Sequence, residues 1–173
     1  DNKSIGAYAT ISEVYLKLRE FDKAEWHVQK AFELIINKGQ EIYDKHANVF
    51  LLISEINSAL KKEDETIKVF KEILDKKFNA NIFFLLMNVN PKSIDSSETI
   101  LIEDKLINNN KKFQNKIERF NYVTPLYFGL GMYYQSLNKE KSEGFYDKAN
   151  REVLNNTRYN SHQYQEKINK IMS

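Results

Sequence analysis

Residues 7–34, AYATISEVYLKLREFDKAEWHVQKAFEL, constrain the fold more than any other stretch of the chain. Tyr8, Ile11, Tyr15 and Leu18 recur at helical spacing and share one face of a helix. Arg19-Glu20-Phe21-Asp22 then interrupts the pattern, and a second helical period follows. That second helix carries Ala24 and Ala31, small residues seven apart, which is what two closely approaching helices require at their contact. The segment therefore predicts two helices folded back on each other. Only two prolines and five glycines occur in 173 residues, so little stands in the way of helices elsewhere.

The same residues resemble one tetratricopeptide repeat (TPR), a helix–turn–helix unit of about 34 residues that stacks on its own kind. Tyr8 stands at the family's first aromatic, Ile11-Ser12 at its Leu-Gly pair, and Tyr15, Phe21, Ala24 and Ala31 at the positions that follow. The resemblance implies an all-α, right-handed superhelix of about three helical hairpins plus connecting helices. The chain reads as a single TPR-like helical domain over 1–173, with the first repeat at 4–38.

A degenerate repeat follows at 47–78, with Phe50, Ile53, Ile56 and Leu60 on its first helix and Ile67, Phe70, Ile73 and Leu74 on its second. Ala24 and Thr66 lie 42 residues apart, about eight more than the family period. The surplus is expected to lengthen the helices around 38–46. Irregular helices are expected over 80–122, the first of them opening a third hairpin at 80–90. The first of them stops at Asn90-Pro91, because proline pushes its predecessor out of the α region. Ser96-Ser97 offers helix caps, the polar tract 108–112 a turn, and another helix starts near Phe113. The last repeat, 124–155, carries Tyr127, Leu130-Gly131, Tyr134, Phe145, Tyr146 and Ala149, with Thr124-Pro125 as N-cap and first helical residue. A connector helix is expected at 161–172.

Residues 126–172 are also similar to the last repeat and connector of bacterial TPR–sulfotransferase fusions. The similarity rests on Phe128-Gly129-Leu130-Gly131, Phe145-Tyr146, Ala149-Asn150-Arg151 and Tyr159. In that family the phosphosulfate-binding domain begins just after such a connector.

Other function classes find little support. The net charge of +2 is too small to argue for nucleic acid or an anionic membrane, and no apolar run reaches bilayer-spanning length. Without cysteine there is no disulfide and no thiolate metal site. His27, His46 and His162 are scattered, with no second ligand at helical spacing. Ser12, Ser54 and Ser136 have no His–Asp arrangement nearby, and the carboxylates Glu13, Glu25, Glu33 and Glu41 read as a solvated helix surface. Gly129-Leu130-Gly131 lacks the third glycine and the preceding strand of a dinucleotide loop, and Gly131 reads as a packing contact. Trp26 is expected half-buried against a neighbouring helix or, failing that, in an exposed contact patch.

The resemblance places a binding groove on the first helix of each hairpin. Its candidate residues are Ala9, Glu13, Leu16 and Lys17; Asn48, Leu51, Glu55 and Ser58; and Phe128, Met132 and Gln135. TPR clamps for C-terminal carboxylates carry Asn and Lys at such places. Glu13 and Glu55 in the Asn position would repel a carboxylate, which disfavours that ligand. The expectation is a cytoplasmic interaction or scaffold module without catalytic residues, metal or cofactor. It would bind a protein or peptide rather than nucleic acid or membrane, and it is compatible with a homodimer. The chain begins at Asp1 without an initiator Met or secretory segment and is expected to be a piece of something longer. The resemblance of its C-terminal half makes a bacterial sulfotransferase-type protein the preferred parent. The alternatives are a peptide-sensing TPR receptor of a regulatory protein and a free-standing adaptor.

Overall fold

The computed structural model describes residues 2–39, 42–109, 113 and 115–156, and every regular element among them is helical. The first hairpin pairs α1 (Asn2–Lys17) with α2 (Phe21–Lys38), and the second pairs α3 (Ala47–Ala59) with α4 (Glu63–Lys76). Then come α5 (Ala80–Val89), α6 (Ser96–Asn109), α7 (Lys116–Tyr134) and α8 (Lys139–Asn156). The expected connector at 161–172 lies outside the described residues.

The first two hairpins turn in the same way. Arg19 (φ 60°) and Lys61 (φ 59°) occupy the left-handed region just past α1 and α3. Glu20 N–H donates to the Tyr15 carbonyl and Arg19 N–H to Leu16; Lys62 N–H donates to Asn57 and Lys61 N–H to Ser58. These paired bonds close the last helical carbonyls in a Schellman motif, with a basic residue where glycine is usual. The hairpin of α7 and α8 turns differently, with Asn138 capping α8 through its bond from Lys141 N–H (2.9 Å). That connection, 135–138, is one residue longer between helix ends than 18–20 and 60–62.

Ala24, Ala31 and Ala149 are fully buried, as their spacing predicts. The face that α1 buries is shifted from the expected one. Ile5, Ala9 and Ser12 are inside, Tyr8 and Tyr15 lie at the margin, and Ile11 and Leu18 are exposed. Phe50 (0% exposed) sits where three helices meet, its ring 6.0 Å from Phe32 of α2 and 6.5 Å from Phe70 of α4.

Four local expectations need correction. α2 is not lengthened into 38–46: Gly39 (φ 98°) ends it, and a 3-10 turn at Asp44–His46 leads into α3. Thr124-Pro125 does not start a helix but lies inside α7, which begins at Lys116 under the Asn115 cap. The missing proline N–H leaves the carbonyl of Asn121 without its helical partner, at an exposed position where water can take its place. α6 is capped by Asp95 rather than by the serines. Its carboxylate accepts from Ser97 and Glu98 N–H while Glu98 reaches back to Asp95 N–H, a reciprocal box. Finally, α5 does not pair with α6. It packs on α7, and Phe78 meets Tyr122, Phe84 meets Phe128 and Phe83 meets Gly129. The residue numbers rise together, so α5 and α7 run parallel.

The two glycines of α7 face different neighbours. A Cβ on Gly129 would lie 2.5 Å from the fully buried Phe83 ring, and one on Gly131 would lie 2.9 Å from Tyr146, which is half-buried. Gly129→Ala is expected to cost about 1–3 kcal/mol by overpacking. Gly131→Ala is expected to stay within about 1 kcal/mol, since Tyr146 can shift and alanine favours the helix. Urea unfolding of the two variants checks the order. Arg19→Gly and Lys61→Gly should each raise stability, by about 0.5–1 kcal/mol, by relieving the left-handed backbone; lower midpoints in both would refute the turn assignment.

Candidate binding surface

Helices α1, α3, α5 and α7 are neighbours in that order and form one layer. The candidate residues map onto it unevenly. Ala9 is 2% exposed and serves packing; it offers nothing to a partner. Glu13 and Lys17 are exposed and paired with each other at 2.6 Å, and Leu16 is half-buried. On α3, Asn48, Leu51, Glu55 and Ser58 are all exposed along one helical face, with Ser58 Oγ donating weakly to Glu63 (3.4 Å). On α7, Phe128 and Met132 are half-buried and Gln135 is exposed.

The helix between α3 and α7 contributes residues that the sequence reading left out. Asn81, Phe84 and Asn88 follow the same i, i+3, i+7 spacing on α5 as the exposed α3 set, and Asn88 is exposed. Phe84 lies 6.2 Å from Phe128, whose ring is in turn 6.3 Å from Tyr146 of α8. Half-buried Phe84, Phe128 and Tyr146 thus form an aromatic row across three helices. Burial pushes the Tyr146 hydroxyl above the usual tyrosine range, so it stays neutral and able to donate at physiological pH. The spacing could have disclosed the α5 set, but the apolar run IFFLL hides which of its members face outward.

Charge on the layer is unbalanced where it is exposed. Glu13 has Lys17 beside it, whereas Glu55 forms no ion pair with any described residue. Elsewhere the pairs tie helices together: Lys62 to Glu25 (2.6 Å), Arg119 to Glu152 (2.5 Å) and Lys141 to Glu103 (2.8 Å). Among the described residues there is no cluster of His, Cys, Asp or Glu that could hold a metal, and no helix is long and apolar enough to cross a membrane.

Trp26 is not half-buried against a neighbouring helix. It is 55% exposed, edge-on to Tyr8 at 6.3 Å. His27 is stacked on Tyr15 at 5.5 Å, and Gly129-Leu130-Gly131 lies mid-helix as a packing feature. No family model matches the chain, and neither a curated protein nor a solved structure matches it.

The two kinds of candidate differ in what they do for the fold. Glu13→Lys and Glu55→Lys should each change stability by less than about 0.5 kcal/mol, because exposed charges contribute little. Phe128→Ala should cost about 1–3 kcal/mol, a fraction of the loss for a fully buried ring. Thermal unfolding of the three variants checks this difference and calibrates any binding measurement.

Proposed function

We propose that the chain is a TPR-like protein-interaction module that holds a partner segment along the layer of α1, α3, α5 and α7. The observation that supports it best is the aromatic pair Phe84–Phe128, half-buried on the same layer as exposed Leu51 and unpaired Glu55 and continued by Tyr146 of the adjoining α8. Half-buried rings beside exposed polar groups suit a partner that covers the rings and leaves a polar rim. The acids disfavour a free carboxylate and favour a basic or neutral, partly apolar segment, such as a helix lying lengthwise on the layer. The module has no catalytic role in this reading; it positions a partner or substrate protein within a larger protein. A sulfotransferase-type parent is the preferred frame, on the similarity of residues 126–172. A phosphate-binding loop encoded after Ser173 would support that parent, and a helix–turn–helix encoded before Asp1 would favour a peptide-sensing regulator instead.

Capture of the partner from the native lysate, followed by its titration against variants, tests the module itself. Glu13→Lys with Glu55→Lys should slow association and alter its salt dependence, since surface charge acts mainly on encounter. Phe128→Ala, compared at equal folded fraction, should weaken binding more than the charge changes, by about tenfold or more. Binding unchanged in all of these variants would remove the layer as the site.

A further inference from the structure

Helix α1 is apolar on two sides. Ile5, Ala9 and Ser12 are buried toward α2 and α3. Ala7, Ile11, Val14 and Leu18 form a second stripe, and all four are exposed: Ile11 41%, Val14 51% and Leu18 60%. Their spacing of four, three and four residues is that of the narrow seam along which one helix lies beside another. The seam continues through half-buried Tyr8 onto exposed Trp26, which carries the edge-to-face contact described above.

We infer that a second copy of the chain docks on this seam, α1 against α1 in antiparallel orientation about a twofold axis between Ile11 and Val14. A twofold interface requires a surface complementary to itself, and this one qualifies on shape and on charge. In the antiparallel register Ala7 faces the partner's Leu18, small against large, and Ile11 faces the partner's Val14. At the flanks Thr10 lies beside the partner's Lys17, and Tyr8 beside the partner's Tyr15; the lysines over the flanking rings, Lys23 and Lys30, are each paired within the chain, to Glu20 and Glu33. Lys17 keeps its own counterion, Glu13 at 2.6 Å, so contact brings in no uncompensated charge. Antiparallel α1 helices also set opposite dipole ends together. The contact is one helix wide, which places it among small, weak interfaces whose occupancy follows concentration. The inference stands independently of what the α1, α3, α5 and α7 layer binds.

Sedimentation equilibrium of the purified chain tests it over about 1 μM to 1 mM, the range of weak association. The weight-average mass should rise from 20.5 kDa toward twice that value. Fluorescence of Trp26, the only tryptophan, should shift to shorter wavelength over the same range. Ile11→Lys and Val14→Glu should each weaken the dimer at least tenfold while circular dichroism keeps the wild-type helix content, since both positions are exposed. Leu18→Ser, which adds no charge, should weaken it as well. An equimolar mixture of Ile11→Lys and Val14→Glu should regain association, because the new charges face each other only in the antiparallel pair. A mass that stays at 20.5 kDa throughout would overturn the inference and leave the seam to another protein. So would a dimer indifferent to these substitutions, or a mixture that fails to pair.

Discussion

The contact between Phe83 and Gly129 decides how the second half of the chain is arranged. A helix can approach another this closely only where a side chain is missing, and Gly129 supplies the gap into which the buried Phe83 ring fits. With α7 against α5 and with α4 and α3 on other sides, α6 is not packed on α5. α6 is therefore carried at the periphery. It buries Thr99, Ile102 and Leu106 and leaves Ile100 and Leu101 more than 60% exposed. It is held by Ile102 and Leu106 in the core and by ion pairs from Lys71 of α4 to Glu98 (3.7 Å) and from Lys141 of α8 to Glu103 (2.8 Å). The third hairpin is thus replaced by two parallel first helices in direct contact, with the intervening helix displaced.

Each true hairpin is also fixed by one buried polar bond between its two helices. Ser12 Oγ donates to the Ala24 carbonyl (2.8 Å), Asn57 donates to Thr66 Oγ1 (2.9 Å), and Ser142 Oγ donates to the Gly131 carbonyl (2.8 Å). Each is worth about 0.5–1.5 kcal/mol net, but a buried hydroxyl left without a partner costs as much or more. Sliding one helix along the other by a turn would strand these groups, so they specify register as well as adding stability. Asn57 and Thr66 stand where the first repeat has Tyr15 and Ala24. The apparent degeneracy of the second repeat is therefore a substitution of one interhelical contact by another.

Helix periodicity was legible because burial and spacing agree over long stretches: the alanines of α2 and α8, the stop at Asn90-Pro91 and the packing role of Gly131 all follow from it. What failed were features decided by distant contacts. Pro125 suggests a helix start, yet α7 continues through it because Leu126, Tyr127 and Leu130 are buried on the far side. Choosing among Asp95, Ser96 and Ser97 as cap depended on whether Glu98 could reach back, which spacing from Asp95 allows and local composition does not reveal. Displacement of α6 could not be read at all, since its apolar residues resemble those of any packed helix. On the candidate surface, the α3 set, which the family resemblance supplied, is exposed. Ala9 did not fit, because α1 is rotated from the face expected of it.

That rotation gives α1 three surfaces, at about 100° per residue around the helix. Ile5, Ala9 and Ser12 face the core; Glu13 and Lys17 lie on a polar side with the exposed residues of the helix layer; Ala7, Ile11, Val14 and Leu18 lie outward. A helix apolar on two sides suits the interior of an array, where it has neighbours on both. Here one side has a neighbour within the chain and the other has its complement in a second copy. Glu13 sits more than about 90° from the centre of the seam, so covering the seam leaves the polar side free. Joined at α1, two chains would hold two binding layers at a fixed separation. A partner with two suitable segments would then bind the second layer intramolecularly, and weak self-association would raise its retention without any new contact on the layer itself.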